Sequence, residues 1–236
     1  MNREEIDRTL SEMLSAPASG SAVRPELAHA IEERIGRALS PVRPLKPARY
    51  YAAGFALIFL APILAGVGLL RPSGIVGMSV AMILIGFGGL AICGGLLAMS
   101  LAADMSPGSR RPAPPVALTV GILIVLAAIF GALFPYRPET SFWLNSGKCL
   151  LLGGAFALPA AALAWRLLRR GAVLSPAVSG AAAGLLGGLA GVVVLEIHCP
   201  DLNVAHILFA HWGVALAFAA VGWLAGARIE KRDASI

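Results

Sequence analysis

The reactive side chains of this sequence gather in one polar stretch, VLEIHCPDLNVAHI, running from Val194 to Ile207 between two long runs of Gly, Ala, Leu and Val. It carries Glu196, His198, Cys199, Asp201 and His206, and His211 follows five residues on. Thiols and imidazoles so placed can ligate a metal, cycle between thiol and disulfide, or pair as nucleophile and base. Of the three cysteines, Cys93 sits in an apolar run and reads as a small buried residue. Cys149 and Cys199 can be a structural disulfide, two unrelated thiols, or a redox- or metal-responsive pair. A bridge needs their Cα atoms within about 7 Å, which a loop turning at Pro200 and dipping between helices would provide. A full metal site is not expected. His206 and His211, five apart, point about 140° from each other on an α-helix, and the adjacent His198 and Cys199 would strain to share one ion. A soft ion held by the two cysteines, with at most one histidine, stays open. Glu196 reads as a solvated cap at the end of an apolar segment.

The elements that hold these residues follow from composition. Apolar residues make up 58% of the 236-residue chain and charged residues 14%, far from the roughly 25% charged residues of an ordinary soluble domain. Six runs are long enough to cross a bilayer, at about 50–70, 75–101, 115–134, 143–165, 176–196 and 205–227. The predicted fold class is therefore all-α: a polytopic six-transmembrane-helix bundle with a short N-terminal helical arm. Pro62 and Pro159 fall inside spans, where membrane helices tolerate them. Gly180, Gly184 and Gly188 form one small-residue ridge on the fifth span, and Gly187 and Gly191 begin a second, which predicts close packing inside the bundle. No ionisable residue is expected deep in any span. No secretory signal peptide is expected either, because a long charged segment precedes the first apolar run near Tyr50.

Basic residues set the predicted orientation. Eleven (Arg43, Lys46, Arg49, Arg110, Arg111, Arg166, Arg169, Arg170, Arg228, Lys231 and Arg232) flank one side, against Arg71, Arg137 and Lys148 on the other. Both termini are thus expected in the cytoplasm, with 229–236 as a cytoplasmic tail. Cys149 and Cys199 then lie toward the outer, oxidising side, where disulfides persist. This topology accounts for the net charge of +6 without nucleic acid as a direct partner.

Residues 1–49 form a different kind of segment. Ile6, Leu10, Met13 and Leu14 make one apolar stripe, and Leu27, Ile31 and Ile35 a second, in a helix opened by Pro25. Two short helices bury no core of their own, and their acids nearly balance their bases. A protein groove suits them better than a membrane surface. Pro41, Pro44 and Pro47 repeat every third residue as a stiff spacer to the bilayer, with Arg43, Lys46 and Arg49 along a basic edge for anionic headgroups.

The C-terminal third resembles the NrsF family, six-span bacterial inner-membrane negative regulators of extracytoplasmic-function (ECF) sigma factors. The resemblance lies in Gly147 and Cys149, in LRRGAVLSP from Leu168 to Pro176, in the glycine-alanine helix, and in His198-Cys199-Pro200 with Trp212 downstream. It implies an anti-sigma factor rather than an enzyme, with no cofactor. It implies that Cys149 and Cys199, with His198 in their motif, sense oxidative or heavy-metal stress. It further implies that the arm holds a cytoplasmic ECF sigma factor, which would use Ile6, Leu10, Met13, Leu14, Leu27, Ile31 and Ile35. The arm departs from the family pattern in being longer and more regularly two-helical.

Two other classes fit the span count. A rhomboid-like intramembrane serine protease would pair Ser146 with His206 or His211, but Leu144 stands where that family has glycine, and the first outer loop, RPSG, is short. A small metal or solute transporter would need ionisable or broken-helix sites near the midplane.

Overall fold

The computed structural model describes residues 29–30, 32–34, 46–106, 108–109, 113–138, 142–171 and 173–233. The chain divides into two units, Met1–Pro44 and Leu45–Ile236. In the first, residues 29, 30 and 32–34 are helical and exposed. The seven arm positions expected to hold a sigma factor (Ile6, Leu10, Met13, Leu14, Leu27, Ile31 and Ile35) lie outside the described residues.

The second unit is built from helices, with no strand among the described residues. They are α1 (Ala48–Leu69), the short α2 (Ser73–Val76), α3 (Val80–Met105), α4 (Pro115–Leu133), α5 (Phe142–Leu168), α6 (Pro176–His198) and α7 (Val204–Arg232). All but α2 are long and apolar enough to cross a membrane. A helix satisfies all its backbone polar groups internally, which a span in hydrocarbon requires. The outward faces are apolar too: Leu57, Leu64, Ile92, Ile124, Leu151 and Val221 are exposed on the bundle surface, as residues facing lipid would be.

The second long helix begins at Val80 rather than near residue 75. Ser79 caps it, its Oγ accepting the Met82 N–H at 3.3 Å. The residues before it form α2, which docks elsewhere. A Cβ at Gly74 would lie 2.4 Å from the Glu196 carbonyl oxygen and 2.6 Å from that of Cys199. Only glycine lets α2 press onto the end of α6.

Helix α6 is the hub: every residue from Ser179 to Glu196 is buried. Its two glycine ridges serve two neighbours. Cβ atoms at Gly180, Gly184 and Gly188 would collide with Gly222, Phe218 and Ala215 of α7. Cβ atoms at Gly187 and Gly191 would collide with Ala161 and Gly153 of α5. Small residues thus bring three backbones together where lipid supplies no hydrophobic drive for helix association. This clamp over α5, α6 and α7 sets the geometry at the end of the bundle where α6 stops and α7 starts.

Candidate functional site

Cys149 stands in the second turn of α5, and the loop between α6 and α7 carries Cys199. The backbone N–H of Cys199 closes α6 by donating to the Leu195 carbonyl. Pro200 follows and cannot continue a helix. The loop is pinned by buried Asn203, whose Nδ2 donates to the Arg137 carbonyl at 2.6 Å and whose Oδ1 accepts the N–H groups of Arg137 and Ala205. Val204 N–H adds a bond to the Pro135 carbonyl. With its loop held at both ends, Cys199 turns inward and is 4% exposed.

The Sγ atoms of Cys149 and Cys199 lie 3.4 Å apart, hydrogen-bonded as thiols and not joined as a disulfide. On its other side Cys199 Sγ is 3.4 Å from His206 Nε2. His211 completes the group, and the four ligand atoms all lie within 4.8 Å of one another. The hydrogen bond from Cys149, then burial, push the Cys199 thiol above its ordinary range, against a smaller downward pull from the two imidazoles.

The convergence of His206 and His211 overturns the geometric premise against a full metal site. That premise assumed α-helical winding. The chain from Ile207 to His211 is π-helical, and a π turn closes its hydrogen bond between residues five apart, stacking them on one side. The two rings meet edge to face, with centroids 5.4 Å apart.

Each histidine has its outer nitrogen occupied. His206 Nδ1 lies 3.1 Å from Ser146 Oγ and 3.4 Å from Asp201 Oδ2. His211 Nδ1 lies 2.8 Å from Glu196 Oε1. Glu196 is therefore not a solvated cap: it is 3% exposed and hydrogen-bonded to His211 inside the bundle. The expectation of no ionisable residue deep in a span is corrected as well. His211 is seven residues into α7, about 10 Å along its axis, and 1% exposed. A carboxylate and an imidazole can stay at such a position because each satisfies the other. At the far end, α3 runs past the expected 101 and buries Asp104, which accepts a hydrogen bond from Ser179 Oγ at 2.7 Å.

His198 does not join the group. Its Nδ1 donates to the Arg71 carbonyl at 2.9 Å, and its own carbonyl accepts from Ser73 Oγ. It fastens the loop around α2 to the end of α6. The sequence had not pointed to the Glu196–His211 pair or to Ser146 as a partner of His206 within the thiol cluster. The available signal was a set of polar side chains at helix ends joined by the short loop 199–203.

Ser146 and His206 do come within the hydrogen-bond reach that a serine protease needs. Ser146 is, however, fully buried, and the other nitrogen of that imidazole already faces Cys199.

Comparison with known proteins gives a consistent placement. The family model described as negative regulator of sigma F, NrsF, matches residues 36–231. A curated relative from Azospira oryzae, a probable anti-sigma-F factor NrsF, is 33% identical over 124 residues, covering 51% of this chain and 58% of the relative. The chain thus spans little more than half the length of that relative. No solved structure matches. A family match over most of the chain, a bundle with six helices long enough to span a membrane, and two cysteines in contact lead to one conclusion: this chain belongs to the NrsF family.

Proposed function

We propose that this protein is an inner-membrane anti-sigma factor that holds an ECF-type sigma factor with its N-terminal arm and releases it on a signal at Cys149 and Cys199. The observation that carries the sensing half is the 3.4 Å approach of two thiols fifty residues apart in sequence. The regulatory half is supported by family membership. Eleven basic residues on the arm's side against three on the other support a topology with the thiols outside the cell's reducing compartment and the arm within it.

No catalytic step is needed. A change at the thiols has only to favour one of two bundle arrangements that differ in arm affinity, and a difference of a few kcal/mol suffices. Helix α5 carries Cys149 near one end and runs through Pro159, where one helical hydrogen bond is missing. A change at the thiols therefore has a natural place to bend the helix.

The test is affinity purification of the full-length protein from its host, with mass spectrometry of what comes with it. A sigma factor should co-purify with the intact chain and be lost with Leu10→Asp and Ile31→Asp. No sigma factor with either would end the regulatory reading. In cells, Cys149→Ser and Cys199→Ser should each alter induction of the sigma regulon; normal induction in both would remove the sensing role.

A further inference from the structure

Cys149, Cys199, His206 and His211 come from α5, the α6–α7 loop and α7, and bring four soft or borderline donor atoms to one point. We propose that they form a tetrahedral two-thiolate, two-imidazole site for a single thiophilic divalent ion of the zinc class. This deepens the sensing role by naming a ligand for the same thiols, and rests on it only for the consequence in the cell.

Three observations carry it. The first is spacing. Zinc bonds of about 2.3 Å to sulfur and 2.0 Å to nitrogen put tetrahedral ligand atoms about 3.3 to 3.8 Å apart. The Cys149–Cys199 and Cys199–His206 contacts are both 3.4 Å, and the remaining separations stay within 4.8 Å. Small side-chain rotations close the set.

The second is the outer ring of partners. A metal-binding imidazole usually hydrogen-bonds through its other nitrogen to a carboxylate or similar group, which fixes the tautomer and raises ligand basicity. Both imidazoles have this arrangement. Glu196 holds His211 Nδ1, and Ser146 Oγ hydrogen-bonds His206 Nδ1, with the carboxylate of Asp201 alongside at 3.4 Å. His206 Nε2 is turned to Cys199 at 3.4 Å, and in His211 Nε2 is the nitrogen that Glu196 leaves unoccupied.

The third is an unmet need. His211 Nε2 is buried and has no hydrogen-bond partner, although buried nitrogens in folded proteins are seldom left so. A metal ion supplies the missing partner.

Donor chemistry selects the ion. Two thiolates and two imidazoles in a tetrahedron suit zinc and its thiophilic congeners, and disfavour magnesium and calcium, which prefer oxygen. Binding one divalent ion displaces to solvent one proton from each thiol and, where Glu196 pairs with an imidazolium, the Nε2 proton of His211 as well. Two thiolates and two neutral imidazoles then balance the ion's charge, and the bound core is neutral. A bilayer-depth site tolerates a neutral core better than a charged one. The same two sulfurs cannot be thiolate ligands and a disulfide at once. Oxidation, by an oxidant that takes up two electrons, would therefore expel the metal, and bound metal would shield the pair from oxidation.

The test uses the full-length protein in detergent, reduced and titrated with Co2+. One equivalent should give intense tetrahedral ligand-field bands and a thiolate-to-cobalt charge-transfer band, both removed by Zn2+. The charge-transfer band should vanish in the Cys149→Ser/Cys199→Ser variant and stay in Cys93→Ser. The ligand-field bands should shift in His211→Ala. In Glu196→Gln the spectrum should persist with affinity about 10- to 100-fold lower. Because variants can fail to fold, zinc-edge X-ray absorption of the unaltered protein provides a second measurement. Two sulfur and two nitrogen neighbours support the site; a shell without sulfur overturns it, as does a charge-transfer band that survives loss of both cysteines. A protein that binds a sigma factor but no Co2+ loses this site and keeps its regulatory role. One that binds Co2+ but no sigma factor does the reverse.

Discussion

Glu196 Oε1 lies 2.8 Å from His211 Nδ1, both side chains almost wholly buried, and this contact joins the last turns of α6 to the start of α7. Removing one leaves the other buried and unpaired, which costs about 3–5 kcal/mol, whereas removing both together costs much less. Glu196→Ala and His211→Ala should therefore each lower the melting temperature in detergent sharply. The Glu196→Leu/His211→Leu double variant should recover much of the loss. Additive losses in the double-mutant cycle would mean that the two groups are not coupled.

The glycine clamp makes a second expectation. A Cβ at Gly184 would lie 2.0 Å from the Phe218 carbonyl oxygen, and backbone cannot move aside as a side chain can. Gly184→Leu should push α7 off α6, costing more than the roughly 1–3 kcal/mol of ordinary overpacking. Gly95→Ala and Gly121→Ala, where nothing lies within 4 Å, should be neutral. Thermal unfolding of the three variants separates these cases. Equal losses would mean that the ridge is not a packing contact.

How much of this was legible in the sequence depends on periodicity. Six helices followed from run length alone, because a 20-residue apolar run has few other ways to exist. The burial of α6 followed from glycines four apart. The cysteine pair came with the family resemblance. The histidines were missed for a definite reason: residues five apart diverge on an α-helix, and no sequence rule announced that Ile207–His211 would wind as a π turn. Glu196 was misread because its nearness to a helix end suggested water. Its partner lies fifteen residues away, and only the packing of α6 against α7 brings them together.

Thiol chemistry gives a pH-dependent prediction. The thiolate is the reactive form, and the Cys149 hydrogen bond and burial hold the Cys199 thiol up. Below that raised value the thiolate fraction grows about tenfold per pH unit. Oxidation of membranes by diamide, which accepts the two electrons and two protons released, should thus link Cys149 to Cys199 faster as pH rises. Mass spectrometry should find that linked peptide, with Cys93, buried in α3, still a thiol. A membrane-impermeant maleimide should reach Cys149, the partly exposed member of the pair, from outside the cell only. A rate that does not change with pH, or labelling only from inside, would contradict the proposed sensing thiol and its proposed side of the membrane.

The Ser146–His206 contact separates two chemistries that share one distance. In a hydrolase the serine is the nucleophile, and alanine abolishes activity and any labelling by a fluorophosphonate. Here the serine holds His206 Nδ1 while Nε2 faces Cys199, so its role is to fix which nitrogen carries the proton. Ser146→Ala should fold and keep the proposed sigma-factor binding, because Asp201 Oδ2, 3.4 Å from the same nitrogen, can take over the hydrogen bond. The loss of stability should be near the lower end of the 1–3 kcal/mol expected for an abandoned buried partner. Adding Asp201→Ala removes the substitute, and the loss should then approach the upper end. Unaltered protein should show no fluorophosphonate adduct at Ser146, since that side chain is fully buried. An adduct there, abolished by His206→Ala, would favour a hydrolase over the proposed regulator.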